Sequence, residues 1–441
     1  MPKGTYIFPD GFLWGTATAA HQVEGRNQNN TWYAWEQEEG RIINGHQSGL
    51  ACDWWGGRWR EDFDRAQAGR QNAHRLSIAW SRIQPEPDRW DEDALDHYRE
   101  MLIGLRSRKM TPMVTLHHFS EPLWLAEMGG WENEAVIDAF EAFTRKAVEA
   151  LMPYCTLWVT INEPNVFMLG AYIEGLFPPG KKDLNTALQV MQHMIRAHAR
   201  AYKLIHELQP DARVGSSIHY RGFKPASWLP WDRLAAKALH TISNDLFPRT
   251  LTDGVFNTIR KKTSIPEAIG TQDFVGVNYY STDMVRFNPF AAKEMYTRRF
   301  YPEDAALSET DFIANIPEGM IEAVKWAAGF GLPIFITENG VDDSKDSLRP
   351  RYILEHLHAL WKIMNANLRV EGYFHWTLVD NFEWERGWTQ RFGLWGLDLE
   401  TQARIRRPSV DMYAEICRTN GIASETVEKY APELMKTLFP G

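Results

Sequence analysis

Residues 157–164 read LWVTINEP, and residues 333–340 read PIFITENG. In each, an apolar, β-branched run has the character of a buried strand and ends in a glutamate, Glu163 or Glu338, with a Pro or Gly breaker beyond it. A carboxylate at the mouth of a buried strand is costly unless it has partners or a task. The two glutamates can share a task only if the strands that carry them end on the same side of one sheet.

Six further runs have the same character: FLWGTATA (12–19), HRLSIAW (74–80), TPMVTLHH (111–118), RVGSSIHY (213–220), DFVGVNYY (273–280) and GYFHWTL (372–378). Between most of them lie stretches such as DEDALDHYREMLIGLRSR and NEAVIDAFEAFTRKAVEALM, with apolar residues at helical three-and-four spacing. Strand–helix alternation repeated eight times predicts an α/β fold, a parallel sheet closed into a (β/α)8 barrel. A doubly wound open sheet is the alternative, but it gives no reason for polar groups to end nearly every strand. Here His118, Asn162, Glu163, Asn278, Tyr280, Glu338 and Trp376 all stand at C-terminal strand ends. In a barrel those ends converge on one face, where catalytic groups gather.

The chain has 441 residues, 44% hydrophobic and 24% charged, enough for a large core. No Ser/Gly-rich linker, charge block, low-complexity tract or short-period repeat marks a boundary, so one domain over 1–441 is expected. A net charge of −9 disfavours nucleic acid and anionic membrane surfaces as partners. No apolar run approaches the roughly 18 residues of a membrane span. The N-terminal MPKGTYIFPDGFLWG does not read as a signal peptide, and three widely spaced cysteines imply no disulfide framework. The expectation is a cytoplasmic protein. Its 19 tryptophans are mostly core material, although flat amphipathic rings also suit a hydroxyl-rich ligand with apolar C–H faces.

Paired carboxylates at one pocket suit the breaking of an acetal. With retention of configuration the two carboxyls stand about 5–5.5 Å apart, against about 6.5–9.5 Å for inversion. Glu338 is the better nucleophile if Arg75 and Tyr280 reach it, since a cation and a hydroxyl donor both favour the carboxylate. Glu163 is then the general acid, its proton affinity raised by burial and by the Glu338 charge, and later the base on water. Asn162 is placed to bond a sugar 2-OH. Against this, a lone buried Glu is commonly a structural ion-pair partner, Arg75 could serve any carboxylate, and Asn278 and Tyr280 could be strand-end hydrogen-bonders. A metal reading of His117 and His118 fails because adjacent strand residues face opposite ways. The segment WTLVDNFEW (376–384) adds aromatic rings and Glu383, which would open onto the same face.

Together these strings resemble glycoside hydrolase family 1, the β-glucosidase family, over roughly residues 6–420. The resemblance runs in order through FPDGFLWGTATAAHQVEG, HRLSIAWSRI, MVTLHHF, GGW, TINEPN, FPPG, DFVGVNYY, PIFITENGVDD, GYFHWTLVDNFEW and RFGLWGLD. It implies the barrel, a retaining mechanism without cofactor or metal, Glu163 as acid/base and Glu338 as nucleophile. It implies that Gln22, His118, Asn162, Glu383 and Trp384 hold the non-reducing-end sugar, with Trp376 as stacking platform and Phe392 as a wall. Arg75, Asn278 and Tyr280 should surround the nucleophile. The expected substrates are small β-glycosides or short oligosaccharides with a terminal unphosphorylated β-D-glucosyl group, with β-galactosides and β-fucosides as side substrates. Glu383 should repel a 6-phosphate. A non-catalytic glycan-binding protein on the same barrel is the alternative, and a transglycosidase would use the same residues. Two positions depart from the family pattern: His21 in AAHQ and Asn165 in NEPN stand where many relatives carry Tyr and Trp.

Overall fold

The computed structural model describes residues 4–258, 261–291 and 294–440; the remaining positions of the expected 1–441 span lie outside the described residues. Eight strands form the central sheet: β1 Leu13–Ala17, β2 Ala73–Ser77, β3 Thr111–His117, β4 Leu157–Asn162, β5 Arg213–Pro225, β6 Phe274–Phe287, β7 Ile334–Asn339 and β8 Val370–Trp376. Every neighbouring pair is parallel, β5 pairs β6, and β8 pairs β1, so the sheet closes on itself. The closure rules out the open doubly wound sheet.

The helices α1 Trp59–Ala68, α2 Glu92–Ser107, α3 Val136–Leu151, α4 Leu184–Leu208, α5 Pro230–His240, α6 Leu246–Asp253, α7 Glu318–Ala328, α8 Arg349–Met364 and α9 Pro408–Thr419 follow the strands in turn. Local chemistry starts two of them. The Asp91 carboxylate accepts the Ala94 N–H at 2.9 Å at the head of α2, and Asp183 accepts that of Thr186 at 2.7 Å at the head of α4. Helix α3 buries Val136, Ile137, Phe140, Phe143, Ala147, Val148 and Leu151, the stripe its periodicity predicts.

Inside the barrel, small residues face large ones. A Cβ on Gly15 would lie 2.7 Å from the Phe374 ring, and one on Gly215 would lie 2.8 Å from the Phe274 ring. Phe274 in turn packs edge-on to Phe335, with centroids 5.1 Å apart. This packing fills the floor and leaves the C-terminal mouth for polar groups.

Two features shape that mouth. The register slips between Val159 and Asn162 and again between Ile336 and Glu338, as β4 and β7 end. Such irregularities re-aim the side chains that follow. Strands β5 and β6 also run past the expected ends at 220 and 280, pairing Gly222–Pro225 with Thr282–Val285. A hairpin strand at Thr297–Phe300 lies antiparallel to the far end of β6, so a short ribbon stands up beside the mouth.

Candidate active site

Glu163 follows β4 directly and caps the short helix Pro164–Leu169 in a left-handed conformation, φ 43° and ψ 58°. The proline after it disfavours the right-handed helical region, and a left-handed glutamate costs on the order of 1 kcal/mol. Its backbone is held on both sides: the Glu163 N–H donates to Ser217 O at 2.7 Å, and its carbonyl accepts the Phe167 N–H at 2.9 Å. The side chain is thereby turned into the mouth, where Asn278 Nδ2 donates to Oε1 at 2.8 Å.

Glu338 reaches the same mouth from β7. Arg75 Nη1 donates to its Oε1 at 2.5 Å and the Tyr280 hydroxyl to its Oε2 at 2.7 Å. Arg75 is itself fixed by three further bonds: Nη2 to Asn162 Oδ1 at 2.6 Å, Nε to the Thr115 hydroxyl at 3.1 Å and Nη1 to Thr337 O at 3.2 Å. Asn278 does more than border the nucleophile candidate. Its Nδ2 serves Glu163 and, at 3.1 Å, Asn162, while its Oδ1 accepts from the Thr337 hydroxyl at 2.6 Å.

Because Asn162 Oδ1 faces Arg75, its Nδ2 must be the group 3.0 Å from His118 Nε2. His118 therefore accepts at Nε2 and carries its proton on Nδ1. His117 points the other way, to Glu121 Oε1 at 2.8 Å, as strand alternation predicts.

The third group comes from the segment after β8. Gln22 Nε2 donates to Glu383 Oε2 at 3.1 Å and to Phe382 O at 2.9 Å. His118, Glu163, Tyr280, Glu338, Trp376, Glu383, Trp384 and Phe392 line one cavity of about 690 Å³, counting its open mouth. Arg75, Asn162, Asn278 and Gln22 lie beneath or behind that surface, 0–1% exposed. All twelve expected site residues are thus brought together, eight on the wall and four directly beneath it.

Sequence reasoning passed over several lining residues, among them His219, Arg221, Phe312, Glu385 and Arg386. His219 carried a usable signal, since it is the penultimate residue of a predicted strand and lies in register beside Asn278. Its Nδ1 stands 3.7 Å from Glu163 Oε1. The cavity continues outward into a wider cleft lined by Asn165, Glu174, Phe177, Arg221, Arg299, Tyr301 and Arg386. The segment after β6 contributes Arg299, Phe300, Tyr301 and Phe312 to that cleft. Asn165 Nδ2 donates to His219 O at 2.8 Å, which ties the NEPN position to the cleft wall.

Burial dominates the electrostatics. It lifts Glu163 well above the usual carboxylate range, and the neighbouring Glu338 charge adds to the lift. Burial lifts Glu338 as well, but here the Arg75 guanidinium and the hydrogen bonds of Tyr280, Arg75 and Asn278 pull the other way. Of the two, Glu338 has the cation and the donors in contact, so it is the one placed to ionise first. Glu383 is raised to about 8 by burial and by the charges of Glu385 and Glu338. His118 is held well below the usual imidazole range, and His219 falls to about 3; burial is the main cause for both.

The Glycosyl hydrolase family 1 model matches residues 5–422 of the chain. A protein of Thermotoga maritima named Beta-glucosidase A is 33% identical, the match covering 94% of this chain and 98% of the relative. Among solved structures, the beta-glycosidase from Pyrococcus horikoshii superposes with a TM-score of 0.90 at 34% identity, covering 97% of this chain and 98% of that one. The beta-glucosidase from Thermotoga maritima in complex with glucoimidazole superposes with a TM-score of 0.89 at 30% identity, over 95% of this chain and all of that one. The closed barrel, the two carboxyls at its mouth and the full-length match agree: this chain belongs to glycosyl hydrolase family 1.

Proposed function

We propose that the chain is a retaining, exo-acting β-glycosidase, a β-glucosidase that removes terminal non-reducing β-D-glucosyl groups from small glycosides or short oligosaccharides. One observation carries the reading. Glu338 is held by a cation and a hydroxyl donor, while Glu163, in the same cavity, receives a single amide and lies beside the Glu338 charge. Glu338 attacks the anomeric carbon as the bond to the leaving oxygen breaks, and Glu163 delivers its proton to that oxygen. In the glycosyl-enzyme the Glu338 charge is gone, so Glu163 loses the neighbour that raised its proton affinity and can take a proton from water. Water then releases the sugar with its starting configuration.

The sugar is held by Gln22, His118, Asn162, Glu383 and Trp384, with Trp376 offering its ring face. Phe392, 6.1 Å from the Tyr280 ring, closes the far wall. Glu383 reaches either an axial or an equatorial 4-OH, which supports β-galactosides and β-fucosides as side substrates. A 6-phosphate would meet the carboxyls of Glu383 and Glu385, so unphosphorylated sugars are the favoured substrates. No resident metal or cofactor takes part in the proposed cycle. Three unpaired cysteines, two of them buried, support a reducing cytoplasm.

Proton NMR of the anomeric signal during hydrolysis of an aryl β-D-glucoside tests the proposal. β-Glucose appearing first, followed by mutarotation, is the expected result. α-Glucose first would mean inversion, and no turnover by folded protein would favour the glycan-binding alternative.

A further inference from the structure

The histidine of AAHQ lies at a junction behind the sugar site. His21 is buried; its ring stacks on the Trp384 indole, 5.9 Å between centroids at 12°, and meets Phe382 edge-on at 5.9 Å. Its Nε2 stands 4.0 Å from Glu36 Oε2 and has no hydrogen-bond partner among the described residues. Glu36 is itself only 5% exposed. Its Oε2 accepts the Ser48 N–H at 2.9 Å and its Oε1 the Ser48 hydroxyl at 3.0 Å.

Ser48 ends a segment that grips the other end of the Glu383 turn. His46 Nδ1 accepts the Trp388 N–H at 3.0 Å, and Gln47 O accepts the Trp388 indole N–H at 2.9 Å. Gly387, at φ +56°, lies so close that a Cβ there would be 2.7 Å from the His46 side chain. The turn is closed by the Glu383 N–H donating to Gly387 O at 2.7 Å. The 382–388 turn is therefore held at one end by His21 and at the other by His46 and Gln47, whose neighbour Ser48 bonds Glu36. Both supports meet at one buried carboxylate.

We propose that Glu36 is a positioning residue: acting through Ser48 on one side and His21 on the other, it fixes the orientation of Glu383 and Trp384 and so sets the affinity for the terminal sugar. The inference rests on the reading that Glu383 and Trp384 hold that sugar. Glu36 touches neither the substrate nor the two carboxyls at the mouth, so it acts on binding and leaves bond breaking alone. A lone carboxylate accepting two bonds from one serine, with a histidine of matching burial beside it, is an arrangement a hydrophobic residue could not supply.

The test compares Glu36→Gln and Ser48→Ala with the parent enzyme, reading kcat and KM on an aryl β-D-glucoside and the inhibition constant of deoxynojirimycin. Glu36→Gln and Ser48→Ala are expected to raise KM and the inhibition constant together by about tenfold, with kcat within about twofold, and Glu36→Asp should restore part of the loss. Unchanged KM and inhibition constant, or a fall in kcat alone, overturns the proposal, even where the thermal midpoint drops. Glu383→Gln serves as control. If it raises both constants while Glu36→Gln and Ser48→Ala do not, this inference fails and the sugar-binding reading stands. If Glu383→Gln leaves them unchanged, the sugar-binding reading fails first. Should Glu36→Gln not fold, Ser48→Ala removes the hydroxyl bond to Glu36 Oε1 from the other partner, leaving the backbone bond, and decides the question.

Discussion

Arg75 Nη1 and Glu338 Oε1 meet at 2.5 Å with their side chains 1% and 4% exposed. A pair so deeply buried gives up hydration on both sides and is weak evidence for stability, while breaking it leaves a charge without a partner. What the pair does supply is a fixed carboxylate. Arg75 also bonds Asn162, which bonds His118, so one guanidinium ties the nucleophile candidate to the floor of the proposed sugar site. Preorganised charge of this kind needs no rearrangement when substrate arrives.

The Glu338→Gly variant should lose at least ~10⁴-fold in kcat on aryl β-D-glucosides, since no other carboxyl can form the covalent intermediate. Azide fits the space left and attacks from the same face, so activity should return with an activated glucoside and yield the α-glycosyl azide. Product NMR checks the configuration. A β-azide, or no rescue, would count against Glu338 as nucleophile.

Replacing Glu163 by Ala should act differently. Loss of general acid catalysis costs about 10²–10⁴-fold for poor leaving groups, and much less for a dinitrophenolate that needs no proton. The alkaline limb of kcat/KM, assigned here to deprotonation of the raised Glu163 carboxyl, should flatten in the variant. Azide should now give the β-azide. A pH profile identical to that of the parent would remove Glu163 from the role.

The barrel was legible because its strands are buried on both faces and so read as continuous apolar runs; LWVTIN at 157–162 is matched residue for residue by β4. The ribbon at 221–225 was not legible, because RGFKP is half-exposed and carries no such run. The two carboxyls and their partners Asn162, Asn278 and Tyr280 were visible as polar residues at strand ends, while Arg75 stands inside its strand. His219 gave the same signal and was passed over. Glu385 and Arg386 could not be found this way, since their place on the cavity wall depends on how the 382–388 turn folds back. Nothing in TINEP announces a left-handed Glu163 except the proline that follows it. The resemblance also placed Gln22 on the sugar; it stands buried beside Glu383, to which its Nε2 donates, and its Oε1 has no partner among the described residues.

Glu383 links function to stability. Burial and the charges of Glu385 and Glu338 raise its folded-state value to about 8, from an ordinary glutamate's 4.5 in the unfolded chain. Between those values the folded protein holds more protons than the unfolded one, so stability is fully present below about 4.5 and declines as pH rises towards about 8. Glu163 and Glu338, also raised, act in the same direction. The thermal midpoint of the parent should therefore fall between pH 5 and pH 8. Glu383→Gln, which cannot ionise, should show a shallower fall and melt a few degrees higher at pH 8, despite weaker substrate binding. Parallel slopes in the two proteins would mean that Glu383 does not carry the raised affinity.

Asn165 offers a test on the leaving-group side. It is 6% exposed, tethered through Nδ2 to His219 O, and its Oδ1 has no protein partner among the described residues. An indole at this position would lose the tether to His219 and add an apolar face next to Phe177, Tyr301 and Phe312 in the outer cleft. Asn165→Trp should therefore raise kcat/KM for aryl β-D-glucosides relative to cellobiose by about tenfold. The affinity for deoxynojirimycin, which fills only the sugar site, should stay within twofold, because Glu383, Trp384 and Trp376 are untouched. An equal change for both substrates, or a matching change in inhibitor affinity, would show that Asn165 acts on the sugar site and not on the leaving group.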